Sequence, residues 1–502
     1  MLLDLLGVML VFGVYHLFGG NELFLVGLWP LLGISLVMVV LGRAIGFYDS
    51  FTRFFNFHEL VRYGALLFGA SLALLVVSRD FRLERLFVLF FSTAQAQVLK
   101  LRADGPNAKE LGQEQGYKAC AQALIKPECR VGAWSAPAPS SSNAIVKPSS
   151  NPWPLPDHEQ ARTISWRWGL LSQSVDDFMD ATQTTGLLVL QNGKVVAERY
   201  QYDRKPGMPM RSFSMAKTFT AMLAGIAQSK GLIRSLDDKA SDYWPEISGS
   251  AYGQTTIRNL LRMSSGVPFR ELYTWTPDDD NWVWGQVLYN SQNANNPSRI
   301  SDYLNGKNKR DLEQGQKFHY ASIETEILGR VLRRATGKSI SALTEEWLWQ
   351  PMGAQDLAYW NVASTDKAEA ASGGFNASLR DYGRFGMLLA NDGMRDDVEI
   401  IPREYVLDAT DAGRQPAGFK PRVATSYFGY GYQVWLQPNK TRTFALQGIH
   451  GQSVLVQPAN QIVIVMTSVN HKPSGQQDMR PYQLRSAFWT GVLKSLGGDA
   501  GQ

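Results

Sequence analysis

Ser214 and Lys217 stand three residues apart in Arg211-Ser212-Phe213-Ser214-Met215-Ala216-Lys217, and they are the pair best placed to do chemistry. A serine hydroxyl is a weak nucleophile at neutral pH and needs a base within hydrogen-bond reach. Three positions along a helix is about one turn, on the same face, and the apolar run 219–227 predicts both that helix and its burial. Burial disfavours an ammonium and makes a neutral, proton-accepting lysine accessible, while a helix N-terminus favours negative charge on the serine oxygen. Such a pair works without a histidine.

Two further segments carry suitable groups. Phe318-His319-Tyr320-Ala321-Ser322 precedes a helical pattern over 323–335 that ends at Gly337. Tyr320 therefore sits on a junction into a helix, where a phenol can relay protons. His319, its neighbour on an extended segment, points to the opposite face and is read as packing. Gln447-Gly448-Ile449-His450-Gly451-Gln452 lies between strand-like runs 443–446 and 453–457. Glycine there permits a ligand to approach the backbone closely, and an edge of this kind supplies an oxyanion donor. His450 either polarises a substrate carbonyl or only hydrogen-bonds to its neighbours; the residues leave both open.

Taken in order, the three segments resemble the serine beta-lactamase and penicillin-binding-protein superfamily, whose motifs are Ser-x-x-Lys, Tyr-x-Asn (or Ser-x-Asn) and Lys-Thr-Gly. The resemblance is closest to the class C and esterase-like branch, and within it to the 6-aminohexanoate-dimer hydrolase group, which cleaves short linear amides. Thr256-Ile257-Arg258-Asn259-Leu260-Leu261 and Ser372-Gly373-Gly374-Phe375 are further family-like phrases, and the resemblance spans roughly residues 165–498. It implies Ser214 as nucleophile and Lys217 and Tyr320 sharing the proton transfers. It also implies an oxyanion hole from the Ser214 N–H and one donor among Ile449, His450, Gly451 and Gln452, with Ile449 or Gln452 favoured. The chain departs from the pattern at two motifs. Ile449-His450-Gly451 replaces Lys-Thr-Gly and brings no permanent cation for an antibiotic carboxylate, which argues against efficient beta-lactam hydrolysis. Ser322 replaces the asparagine and keeps a hydroxyl without the amide's two-sided geometry. With no class A type glutamate motif, deacylation falls to Tyr320 or Lys217.

The expected function is cleavage of amide or ester bonds of small acyl substrates through an acyl-enzyme on Ser214, with no cofactor. Two alternatives use the same site: penicillin-binding, D,D-peptidase or beta-lactamase activity, and a sensor domain that is acylated without turnover.

The elements that must position these groups are also legible. Apolar stretches flank Asn192-Gly193, which reads as a hairpin turn. A long helical middle follows over 236–389, strands return over 430–436, 443–446, 453–457 and 462–467, and an amphipathic helix closes the chain over 482–496. This order and the resemblance give an α+β fold: a beta-lactamase-like antiparallel sheet flanked by helices, built from both ends of the domain around an inserted helical lobe. The site is expected where the lobes meet. Trp275, Trp282 and Trp284 flank Asp278-Asp279-Asp280, either roofing a cleft for a cationic ligand end or forming a solvated acidic loop.

The chain has 502 residues, 45% hydrophobic and 19% charged, enough for a hydrolase domain over 162–502 plus further segments. Apolar runs over 2–18, 23–41 and 63–77 predict three membrane helices in a region 1–100, with a fourth run over 86–99 behind Arg79, Arg82 and Arg85. Arg43, Arg53 and Arg62 between the second and third runs place that connection inside, so three spans put the hydrolase on the periplasmic side of a bacterial inner membrane, the side the cysteines also favour, whereas a crossing by the fourth run would return it to the cytoplasm. Residues 101–161, rich in Pro, Ser and Ala, read as a tether. Cys120 and Cys129 within it suit one local disulfide in an oxidising compartment, with two free thiols as the alternative. The six histidines show no metal-ligand spacing, and no metal is expected. A net charge of +5 is too small and dispersed for a nucleic-acid partner.

Overall fold

The computed structural model describes residues 98–120, 122–136, 143–160 and 162–501. The three apolar runs expected to cross a membrane lie outside these residues, and among the described residues no helix is long and apolar enough to do so.

An eight-stranded sheet organises the domain. Its strands are β1 (Leu99–Leu101), β2 (Thr184–Gln191), β3 (Lys194–Tyr200), β4 (Gly429–Tyr430), β5 (Trp435–Leu436), β6 (Phe444–Gln447), β7 (Ser453–Gln457) and β8 (Ile462–Ser468). They lie in the order β1-β3-β2-β8-β7-β6-β5-β4, so strands from both ends of the domain share one sheet. The β2–β3 turn closes at Gln191 and Lys194, with Asn192 and Gly193 both at positive φ (52° and 73°), as an Asn-Gly hairpin requires.

The sheet is mixed rather than antiparallel as the sequence predicts. Strand β1 runs parallel to β3, Leu99 opposite Glu198 and Leu101 opposite Tyr200. A three-residue strand has too few positions for a period-two signal, and the interrupted apolar run around it reads as helix.

Both faces of the sheet are covered, which explains why its central strands are apolar throughout. Leu188, Leu190, Val454, Val456, Val463 and Val465 point to one side, into the core made with α1 (Ala216–Ser229) and α4 (Leu379–Ala390). Their neighbours Leu187, Val189, Leu455, Ile462 and Ile464 point to the other, against Phe178 and against Phe488, Trp489 and Val492 of α5 (Arg480–Ser495). Helix α1 is buried almost along its length, and its Phe219 stacks 3.8 Å from Phe385 of α4.

The lobe between β3 and β4 contains α2 (Asp280–Tyr289) and α3 (Ser322–Thr336), the latter stopped by Gly337 at φ 69°. It is not the continuous helical stretch that the sequence predicts. Ala358–Asn361 and Phe375–Ser378 form a second sheet with Asn143–Val146 and Pro209–Arg211. These strands of three or four residues are again too short to show a period.

The segment read as a tether folds onto the domain. It contains a helix, Pro127–Ala133, and Cys120 and Cys129 are joined in a disulfide. Leu111, Tyr117, Val131 and Trp134 are buried with Tyr202, Phe213 and Val469 of the domain.

Candidate active site

Ser214 lies in a short helical turn, Phe213–Met215, between the edge strand Pro209–Arg211 and α1. The chain reaches it through Phe213 at φ 45°, a left-handed conformation that for a bulky residue carries about 1–3 kcal/mol of strain. The surroundings hold that conformation. The Ser212 N–H donates to the Phe375 carbonyl (3.0 Å) and the Arg211 N–H to the Trp134 carbonyl (2.8 Å). The Phe213 ring is packed edge-on against Trp134 at 4.9 Å, with the Arg211 guanidinium 4.7 Å away on it. The sharp reversal leaves the Ser214 hydroxyl half-buried at the start of α1, facing a cavity of about 380 Å³.

One helical turn on, Lys217 is 2% exposed. Its Nζ donates to Ser214 Oγ at 2.9 Å and to the Ser372 carbonyl at 2.8 Å. Burial pulls the Lys217 ammonium down to about 8, against the opposing charges of Glu271 and Glu326. At pH 7 about one tenth of this lysine is therefore an uncharged base, and the fraction rises to about half near pH 8. The Ser372 carbonyl is itself fixed, because the Ser372 N–H donates to Glu326 Oε1 at 2.9 Å and Glu326 pairs with Arg330 at 3.0 Å.

Tyr320 completes the cluster. Its ring centre is 5.2 Å from Lys217 Nζ, and the neighbouring Ser214 hydroxyl partly offsets the upward shift of the phenol. The ring stacks on Trp435 of β5 at 5.5 Å. Burial and the Glu271 charge push the phenol above its ordinary range, so it remains protonated where Lys217 titrates. The three groups brought together from positions 214, 217 and 320 thus divide their duties by environment: the amine can accept a proton and the phenol can pass one.

The remaining expected site residues separate. Ser322 lines the cavity, but its hydroxyl and N–H both donate to Glu271, at 2.7 and 2.8 Å. Ile449 also lines the cavity, at the β6–β7 connection beside Ser214. Gly448 explains how that connection comes so close: a Cβ there would stand 2.4 Å from the Ser212 carbonyl oxygen and 3.1 Å from the Ser214 nitrogen. His450, Gly451 and Gln452 are buried and do not line the cavity. His450 adopts φ 60° and turns its ring onto Trp134 at 4.7 Å, with Nδ1 2.7 Å from the Asn470 carbonyl. Burial lowers it to about 3, so it stays neutral, and it takes the packing alternative. Gln452 spends its amide on the backbone of Ser468, donating at 2.7 Å and accepting at 3.0 Å.

Trp275, Trp282 and Trp284 do line the cavity, whereas the three aspartates between them do not. Asp279 is fully buried and caps α2, and Asp280 faces Arg270 and Lys307. The aromatic side chains face the cavity, whereas Asp279 and Asp280 serve the local structure and Asp278 is exposed to solvent. Glu271 is the main site residue that motif spacing does not reveal; only its place in the loop before the tryptophans marks it. Among the described residues no group of acidic, histidine or cysteine side chains could hold a metal ion.

The family described as Beta-lactamase matches residues 171–487, more than half of the chain. The chain is 24% identical over 293 residues to the 6-aminohexanoate-dimer hydrolase of Paenarthrobacter ureafaciens, covering 58% of this chain and 74% of that protein. A solved structure from Bacillus anthracis, assigned as a 6-aminohexanoate-dimer hydrolase, superposes with a TM-score of 0.61 at 25% identity, over 71% of this chain and 91% of that one. EstCE1, a hydrolase with promiscuous acyltransferase activity, shares the fold at 15% identity and a TM-score of 0.50, over 62% of this chain and 96% of its own.

Proposed function

The chain belongs to the beta-lactamase family, and within it we infer that it is a serine hydrolase of small amides or esters, working through an acyl-enzyme on Ser214. The observation that carries this reading is the 2.9 Å contact between Ser214 Oγ and the nitrogen of a buried lysine lowered to about 8. Neutral Lys217 takes the hydroxyl proton as Ser214 Oγ bonds to the substrate carbonyl carbon. The negative charge that develops on the carbonyl oxygen is received by the backbone N–H groups of Ser214 and Ile449, which Gly448 brings side by side. When the intermediate collapses, the leaving nitrogen or oxygen takes its proton from the Tyr320 hydroxyl, and Lys217 returns one to Tyr320. Water then attacks the acyl-serine with the same groups in reversed roles.

Support for a short linear amide comes from the relative named a 6-aminohexanoate-dimer hydrolase and from the aromatic walls of the cavity. A beta-lactam is disfavoured because the third motif offers no cation and its His450 is neutral and turned onto Trp134. The disulfide and the upstream apolar runs support a membrane-anchored protein with this domain on the periplasmic side.

The test uses the full-length chain with p-nitrophenyl esters, short N-acyl amides and nitrocefin. Ester or amide turnover, an acyl mass increment on the intact protein, and loss of both in Ser214→Ala are expected. Turnover retained by Ser214→Ala, or strong nitrocefin hydrolysis with no activity on the other classes, overturns the reading.

A further inference from the structure

The wall of the cavity is not made by the matched region alone. Leu124 and Ile125 line it together with Ser214 and Ile449, although they precede the family match at residue 171 by more than forty positions. They lie in a loop closed by the Cys120–Cys129 disulfide. Cys129 is buried in the helix Pro127–Ala133, whose Gly132 approaches the backbone of Tyr117 and Lys118 so closely that a Cβ would stand 2.3 Å from the Tyr117 carbonyl oxygen.

A buried arginine secures the same loop to the hydrolase domain. Arg130 is 4% exposed and donates to four carbonyls: those of Ala123 (3.2 Å) and Leu124 (3.3 Å) within the loop, and those of Asn470 (3.3 Å) and His471 (3.0 Å) just beyond β8. Leu124 packs in the cluster that contains Phe213, Ile449 and Trp134, of which Phe213 and Ile449 line the cavity with the nucleophile. Ile125, by contrast, is 67% exposed at the mouth. A large aliphatic side chain held in the open by a disulfide and a buried guanidinium is arranged to meet something apolar that enters the cavity.

We propose that the disulfide-closed loop is a specificity element, in which Leu124 and Ile125 pack against the hydrocarbon chain of an amide or ester bound over Ser214. The inference rests on the serine-hydrolase reading and adds to it a preference for longer, apolar substrates. Opening the disulfide removes the one covalent closure and leaves the loop to the Arg130 hydrogen bonds, its own turn at Gln122 and the packing of Leu124, so the preference is coupled to the oxidation state of Cys120 and Cys129.

The experiment compares the full-length wild type with Leu124→Ser/Ile125→Ser and with Cys120→Ser/Cys129→Ser. Its readout is the ratio of kcat/KM for p-nitrophenyl octanoate to p-nitrophenyl acetate, with a second arm that compares hexyl acetate with ethyl acetate. The wild type is expected to favour the longer chain in at least one arm. Both variants are expected to lower that ratio about tenfold, chiefly through KM, as losing contact with slightly under two buried methylenes would. Reducing the wild type with dithiothreitol should move the ratio in the same direction. Ratios that stay within twofold of wild type in both arms overturn the proposal, as does a wild type with no chain-length preference. If the wild type hydrolyses none of these esters and Ser214 takes no label from a fluorophosphonate, the hydrolase reading itself falls; labelling with unchanged ratios removes only the specificity element.

Discussion

Ser322 gives its hydroxyl hydrogen to Glu271 at 2.7 Å, so the serine of the second motif is turned toward an acid on the cavity wall. The same Glu271 charge raises both Lys217 and Tyr320. Glu271→Gln removes that charge, and the rising limb of the pH–rate profile should move to lower pH. A limb that stays in place or moves upward would show that Glu271 does not reach the base.

In the wild type, acylation needs neutral Lys217. The value of kcat/KM should therefore rise with pH through a limb near 8 and level off above it. Replacing the base, as in Lys217→Ala, should lower kcat/KM by roughly 100- to 10,000-fold. Steady-state rates from pH 6 to 10 check this; a rate that falls as pH rises toward 8 contradicts a lysine base.

Tyr320→Phe keeps the stack on Trp435 and removes only the hydroxyl. Because the lost group passes a proton to the leaving atom, amides with poor leaving groups should suffer more than p-nitrophenyl esters, by about tenfold or more. Equal losses on the two classes would mean that the phenol only positions Ser214.

Gly448→Ala places a methyl group 2.4 Å from the Ser212 carbonyl oxygen. The β6–β7 connection must then withdraw from Ser214, and kcat should drop by about 100-fold as one oxyanion donor retreats. Crystals of the variant with Ile449 unmoved and full activity would sink this assignment.

Glu324 is buried with Oε1 accepting from Ser265 at 2.6 Å, and burial pushes its carboxyl up to about 8. The folded state therefore holds a proton that the unfolded chain releases near pH 4.5. Folding stability contributed by that proton is complete below about pH 4.5 and declines as pH rises toward 8. Glu324→Gln should flatten the decline, so thermal melts of wild type and variant should diverge between pH 5 and pH 8, the variant gaining by up to a few kcal/mol.

Much of this domain is visible in its residues because long periods survive: β2 and β3 around Asn192-Gly193, α3 ending at Gly337, and the buried α1 behind Ser214. What escaped notice was short or composed of common residues. Leu99–Leu101 and Phe375–Ser378 join sheets through partners far away in the chain, and no local pattern announces them. In the site, the clustering of Ser214, Lys217 and Tyr320 follows from helix spacing and family motifs. Glu271 and Glu326 act through distant partners that only folding supplies. His450 shows the reverse: its motif position drew attention to it, but a left-handed backbone turned its ring away from the cavity.

The chain of contacts from Lys217 through Ser372 and Glu326 to Arg330, which also grips Asp366 at 2.8 Å, has a mechanical meaning. The proton acceptor hangs from the backbone of one loop, and that loop is moored by ions on α3. Its aim at Ser214 is thus set by how two helices sit beside each other, more than by its own four flexible methylenes. Random mutagenesis that selects for lost turnover without lost folding should therefore find hits along α3 as far as Arg330, which does not line the cavity.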